Sequence, residues 1–150
     1  GYRLNAADAS VNKVLALAGR QEVRDFVDIL HIHLHGLSLG ALAWAACGKD
    51  PGYTPEFLLE QANRHSAYTQ EQVDRLNLRV PLDLRKLKEA WLSAVAAAKH
   101  LVGLLPPGEL GCLYLRADMT LATPEPEAPE FQTLRRHFGS VRGAWPTVME

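Results

Sequence analysis

The sequence predicts a mainly α fold, a helical bundle with one short β-hairpin near the C-terminus. Three observations predict it. Apolar residues recur at helical spacing as far as Leu105. Strand-like patterning begins only after Pro106-Pro107-Gly108. The composition, 47% hydrophobic and 22% charged over 150 residues, is that of roughly one globular domain.

The elements follow in order. Residues 6–18 carry Val11, Val14, Leu15 and Ala18 at helical spacing. Asn5 with Asp8 reads as the opening cap, and Gly19 as the left-handed stop. A second helix begins near Gln21 or Glu22, buries Val23, Phe26, Val27 and Leu30, and ends at Gly36. Residues 37–48 are apolar on nearly every side, the pattern of a helix buried all round and stopped by Gly48. Lys49-Asp50-Pro51-Gly52 is a turn. Thr54 before Pro55 is an N-cap with proline in the first helical position, opening a helix to about residue 65. A short helix follows near 69–76. Asp83 opens the longest helix, 83–105, with Leu84, Leu87, Trp91, Ala94, Val95 and Ala98 in its apolar stripe. The hairpin spans Gly111–Arg116 and Met119–Thr123 across Ala117-Asp118. Three segments result: a helical domain with hairpin (1–122), an acidic Pro-rich linker (123–130), and a C-terminal helix near 130–138 with a tail to 150. There is no internal repeat.

Composition and charge exclude several classes. No run of ~18 apolar residues predicts a membrane span, and no basic-then-apolar start predicts a signal peptide, so a cytoplasmic protein is expected. Sixteen basic against seventeen acidic side chains, net −1, exclude a dominant basic footprint for nucleic acid. Cys47 and Cys112 match no metal spacing and are expected as buried, reduced thiols. Gly1 stands where an initiator Met would, which leads us to expect either a tag remnant or a cut within a longer protein.

Four groups of residues bear chemistry. Arg24-Asp25-x-x-Asp28 places three charged groups within one helical turn, opposite Phe26, Val27 and Leu30. Paired carboxylates so spaced ligate Mg²⁺, orient a partner or position a general base. An ordinary solvated face with an Arg24–Asp28 pair has the same spacing. Lys13, on the preceding helix, is either a solvent-exposed lysine or a point charge for phosphate. His31, His33 and His35 alternate: as a strand they form a zinc-like set. As the helix favoured here, His31 and His35 share a face, and with Asp28 they make three candidate metal ligands. Otherwise they line an interhelical surface. Finally, Arg135-Arg136-His137 with Arg142 and Trp145 is a candidate nucleic-acid patch or a solvated tail.

Taken together, the segments Asn12-Lys13-Val14-Leu15-Ala16-Leu17 and Arg24-Asp25-Phe26-Val27-Asp28 resemble the back half of nucleotidyltransferases of the AbiEii/AbiGii toxin family, which carry "NK-x-x-A-L" on one helix and "R-D-x-x-D" on the next. The resemblance is good over about residues 3–30, and softer from Leu37 onward. It implies a polymerase-β-like enzyme that transfers a nucleotide from an NTP to an RNA or protein acceptor, with Mg²⁺ clamping the displacement. Lys13 would neutralise the triphosphate, helped by Arg24. Asp25 would be the catalytic aspartate of the last motif, and Asp28 would support it. The family's Gly-Gly or Gly-Ser turn and its following carboxylate pair are missing; the only Gly-Ser pair, Gly139-Ser140, lies at the wrong end. The chain is therefore expected to be a C-terminal part, inert without upstream metal-binding carboxylates. A cognate antitoxin and self-association are the further partners implied. Two other expectations stand beside this one: a non-catalytic helical interaction or dimerisation module, and a metal-dependent hydrolase built on His31, His35 and Asp28.

Overall fold

A computed structural model describes residues 4–64 and 68–138, with the backbone alone described for 4 and 5. The most apolar stretch of the sequence lies at its centre. Ser38 caps this helix by accepting from the Ala41 N–H at 3.3 Å, and every residue from Leu39 to Cys47 is buried. Polar side chains would be orphaned there, which is why the segment carries none. In chain order the helices are α1 (Leu4–Arg20), α2 (Val23–His35), α3 (Leu39–Lys49, the central one), α4 (Pro55–Ala62), α5 (Gln70–Asp74) and α6 (Leu84–Leu104). Helices α1, α2, α4 and α6 pack around α3, and α2 meets it at a bend of 117°. Among the described residues no single helix is long and apolar enough to cross a membrane.

The caps follow from residue chemistry. Thr54 accepts from the Phe57 N–H at 3.1 Å with Pro55 at the first helical position. Asp83 accepts from the Arg85 N–H at 3.1 Å. Thr69 and Gln72 bond reciprocally in a capping box that opens α5. Trp91, on α6, is fully buried against Phe26 with ring centroids 5.1 Å apart, and its indole N–H donates to Asn63 at 2.8 Å.

Beyond α6 lies a three-stranded antiparallel sheet of order β2-β1-β3. Strand β1 (Cys112–Leu115) pairs β2 (Leu121–Ala122) in the expected hairpin, with Tyr114 opposite Ala122. Its other edge pairs β3 (Arg135–Phe138), with Cys112 opposite Phe138 and Leu115 opposite Arg135. The sheet docks on α3 at Gly48 and Gly111, whose backbones touch. A Cβ at Gly48 would lie 2.5 Å from the Gly111 carbonyl oxygen, and Gly111 sits at φ +97, a conformation that favours glycine. Trp44 secures the same seam by donating to the Glu109 carbonyl at 2.9 Å.

Several expectations are corrected. Helix α1 already includes Asn5, so the chain does not first become helical after it. It continues past Gly19 to Arg20, and the left-handed residue is Gln21 at φ 54. Gly48 lies inside α3 and serves the seam instead of stopping the helix. The segment 123–130 is not a free linker: Pro124 is buried, and Thr123 accepts from the Ser38 N–H at 3.0 Å. The helix expected near 130–138 is a 3-10 turn, Pro129–Thr133, followed by β3. Its stripe is too short to bury a helical face, whereas the open edge of β1 offers each backbone group a partner. The tail from 139, with Gly139-Ser140, Arg142 and Trp145, lies outside the described residues.

Candidate functional site

On α1, Lys13 and Arg20 are seven residues apart, two turns, and so share a face. That face meets α2 where Asp25 and Asp28 lie one turn apart. The Lys13 ammonium donates to Asp28 Oδ2 at 2.8 Å and stands 3.9 Å from Asp25 Oδ1. The Arg20 guanidinium donates through Nε to Asp25 Oδ2 at 3.0 Å. Glu22 stands 3.9 Å from Arg20 Nε, so two cations and three carboxylates form the network between the helices. The burial is uneven: the Asp25 side chain is 3% exposed, while Lys13 is 38% and Asp28 33% exposed. A carboxylate so deeply placed needs its partners. Its hydrogen bond and charge, with Glu22 adding, raise the Arg20 pKa above its ordinary value.

Tyr68 closes the inner side. Its ring lies 5.0 Å from Phe26, and its buried hydroxyl has no hydrogen-bond partner among the described residues. Burial first, then the negative charge of Asp25 and Glu22, pushes its pKa up to about 12.

The sequence-predicted residues therefore divide. Lys13, Asp25 and Asp28 come together in direct contact. Arg24 does not join them: it is exposed and has no hydrogen bond or ion pair among the described residues. Its place beside Asp25 is taken by Arg20, which sequence reasoning missed. The signal was available in the Lys13–Arg20 spacing of seven.

His31 and His35 share a face as expected, their ring centroids 4.4 Å apart. His35 Nδ1 lies 3.0 Å from the His31 carbonyl. His33 points elsewhere, and its Nδ1 accepts from the Leu39 N–H at 2.8 Å. A backbone amide only donates, so this nitrogen carries the lone pair. Burial lowers the His33 pKa. Among the described residues no three His, Cys, Asp or Glu side chains are placed to hold a metal ion. Asp28 turns to Lys13 and Asp25 to Arg20, so these carboxylates do not fit a Mg²⁺ set.

A groove of about 400 Å³ runs beside the network. Val27, Leu30 and Leu34 of α2 form one wall; Leu78, Val80 and Leu82, on the irregular segment before α6, form the other. Its polar lining, Asp28, His31 and His35, lies wholly on the α2 side. Leu34 and Val80 are 62% and 69% exposed. Sequence reasoning also missed this groove, because its far wall comes mostly from the irregular segment before α6, completed by Leu87 of α6.

Comparison with family models, with characterised proteins and with solved structures finds no match to this chain.

Of the basic residues near the C-terminus, Arg136 serves the fold. Arg136 pairs with Glu109 at 3.1 Å and lies 4.5 Å over the Phe131 ring. Glu109 also accepts from the Tyr114 hydroxyl at 2.9 Å. Burial raises the Cys47 and Cys112 thiols to about 12 and about 11.

Proposed function

We propose that the chain is the helical portion of a nucleotidyltransferase that moves a nucleotide from an NTP to an RNA or protein acceptor, with Lys13 as its triphosphate-binding cation. The single observation carrying this reading is the juxtaposition of Lys13 with Asp25 and Asp28 across α1 and α2. Those three residues, together with Arg24, also carry the resemblance to the AbiEii/AbiGii family.

In the reaction the acceptor oxygen attacks the α-phosphorus. The bond from that phosphorus to pyrophosphate breaks, and the acceptor proton leaves to solvent. Lys13 supplies a fixed positive charge where negative charge builds on the departing phosphates. Asp28 holds the ammonium in place on one side, leaving its exposed side for phosphate. Asp25, held by Arg20 and closed to solvent, acts as a positioning residue, and Arg24 takes no part in the cluster. The metal-binding carboxylates that the resemblance implies are not supplied by these residues.

The test is transfer of label from each of the four NTPs to total RNA and protein by the full-length gene product. Labelling that disappears in Lys13→Ala, with the melting temperature within 2–3 °C of the parent (about 1 kcal/mol), supports the reading. Undiminished labelling in that variant, or none from the parent, overturns it.

A second reading rests on the exposure of Leu34 and Val80: a non-catalytic helical module whose groove seats another protein surface. It predicts no label transfer and an apolar interface covering those two residues.

A further inference from the structure

We infer that the groove along α2 is a nucleobase site, its far end holding the base of a nucleotide whose phosphates reach Lys13. The inference rests on the transferase reading for the phosphate end, and on the groove itself for the base end.

Size and lining come first. A volume of about 400 Å³ lies within the range of small-ligand sites, which are mostly apolar with a few convergent polar groups. Here two aliphatic walls face each other, Leu30 and Leu34 against Leu78 and Val80. Such a slot suits a flat ring with two apolar faces.

The polar edge gives the second argument. His31 and His35 present tilted, neighbouring rings at the groove's rim. Imidazole rings stack on bases and bond their edges. His35 Nδ1 is committed to the His31 carbonyl, which fixes the ring and leaves Nε2 for a ligand.

Spacing gives the third. Asp28 and His35 are seven residues apart on α2, so about 10 Å along its axis. That is comparable to the length of a nucleoside triphosphate from base to outer phosphates. The Lys13 ammonium does not itself line the groove, but it stands 2.8 Å from Asp28, which does. One helix thus measures out a ligand that is apolar and aromatic at one end and anionic at the other.

The experiment is calorimetric titration of the full-length gene product with ATP, GTP, CTP and UTP, with the matching nucleosides, and with inorganic triphosphate. Variants are Leu34→Asp, Val80→Asp, His35→Ala and Lys13→Ala. All four sites are exposed or half-exposed, so the variants are expected to fold. The groove assignment predicts that the first three weaken both nucleoside and nucleotide about tenfold or more, the scale of one lost base stack. Lys13→Ala weakens nucleotide and inorganic triphosphate but leaves the nucleoside unchanged. If nucleotide binding falls only in Lys13→Ala, the groove assignment fails while the transferase reading stands. If nucleoside binding falls in the groove variants but Lys13→Ala changes nothing, the base site stands and its link to Lys13 fails. Absence of all binding overturns the proposal, as does a dimer in sedimentation that Val80→Asp dissociates along with the binding.

Discussion

Replacing Gly48 with alanine tests the seam between α3 and the sheet, because helix propensity and packing predict opposite signs. In an open helical position glycine is worse than alanine by roughly 0.5–1 kcal/mol, so the substitution stabilises. At Gly48 the added Cβ would lie 2.5 Å from the Gly111 carbonyl oxygen and 3.2 Å from its Cα. The oxygen contact is about an ångström inside van der Waals distance. The opposing atoms are backbone, so no side chain can turn away, and overpacking of this kind costs about 1–3 kcal/mol. Gly103 is a matched control. It too is the next-to-last residue of its helix, and a Cβ there meets nothing within 4 Å. With the propensity gain subtracted, thermal melts by circular dichroism should show Gly48→Ala lower by up to about 10 °C and Gly103→Ala unchanged or higher by up to about 4 °C. A Gly48→Ala protein melting at or above the parent would refute the close approach of the two backbones.

Three further outcomes are expected. Arg20→Ala should lower the melting temperature more than Lys13→Ala, because it strips the buried Asp25 carboxylate of its nearest donor while Lys13 is the more distant partner; calorimetry of both variants checks the order. Burial lowers the His33 pKa, so the folded state binds its proton less readily than the unfolded chain; its contribution is complete above the unfolded value of about 6.5 and is lost as pH falls through the folded value. Urea midpoints from pH 7.5 to 5 should therefore fall less steeply in His33→Asn, whose side-chain oxygen can accept from Leu39 without titrating. Cys47 and Cys112, with thiols pushed up to about 12 and about 11, should resist iodoacetamide at pH 8 in the folded protein and both react in urea, read by intact mass.

How far the sequence reveals this structure depends on where each partner comes from. Thr54, Pro55 and Asp83 cap their helices through groups two or three residues away, so local chemistry suffices to place them. Residues 37–48 announce a central helix by being apolar on all sides. Strand β3 has no such signature. Arg135-Arg136-His137-Phe138 does not alternate, and it becomes a strand because β1 offers an open edge and Arg136 reaches Glu109. The same limit governs the site. The adjacency of Arg24 and Asp25 in sequence suggests a pair, yet neighbouring helical residues point about 100° apart. Asp25 faces inward, and its donor has to come from another helix. Lys13, Asp25 and Asp28 were legible as a group; Arg20, Tyr68 and the far wall of the groove depend on how the helices dock.

The placement of α3 carries a consequence for the chain before it folds. A helix buried on every side has no polar face to protect it outside its bundle, and Leu37 to Cys47 holds only serine as a polar side chain. Whenever the surrounding helices open, an apolar eleven-residue segment meets solvent and other copies of itself, the kind of exposure that drives self-association of partly folded chains. Recovery after heating should then depend on protein concentration, with losses second order in the chain, so that endurance at high temperature is governed by how often α3 is uncovered.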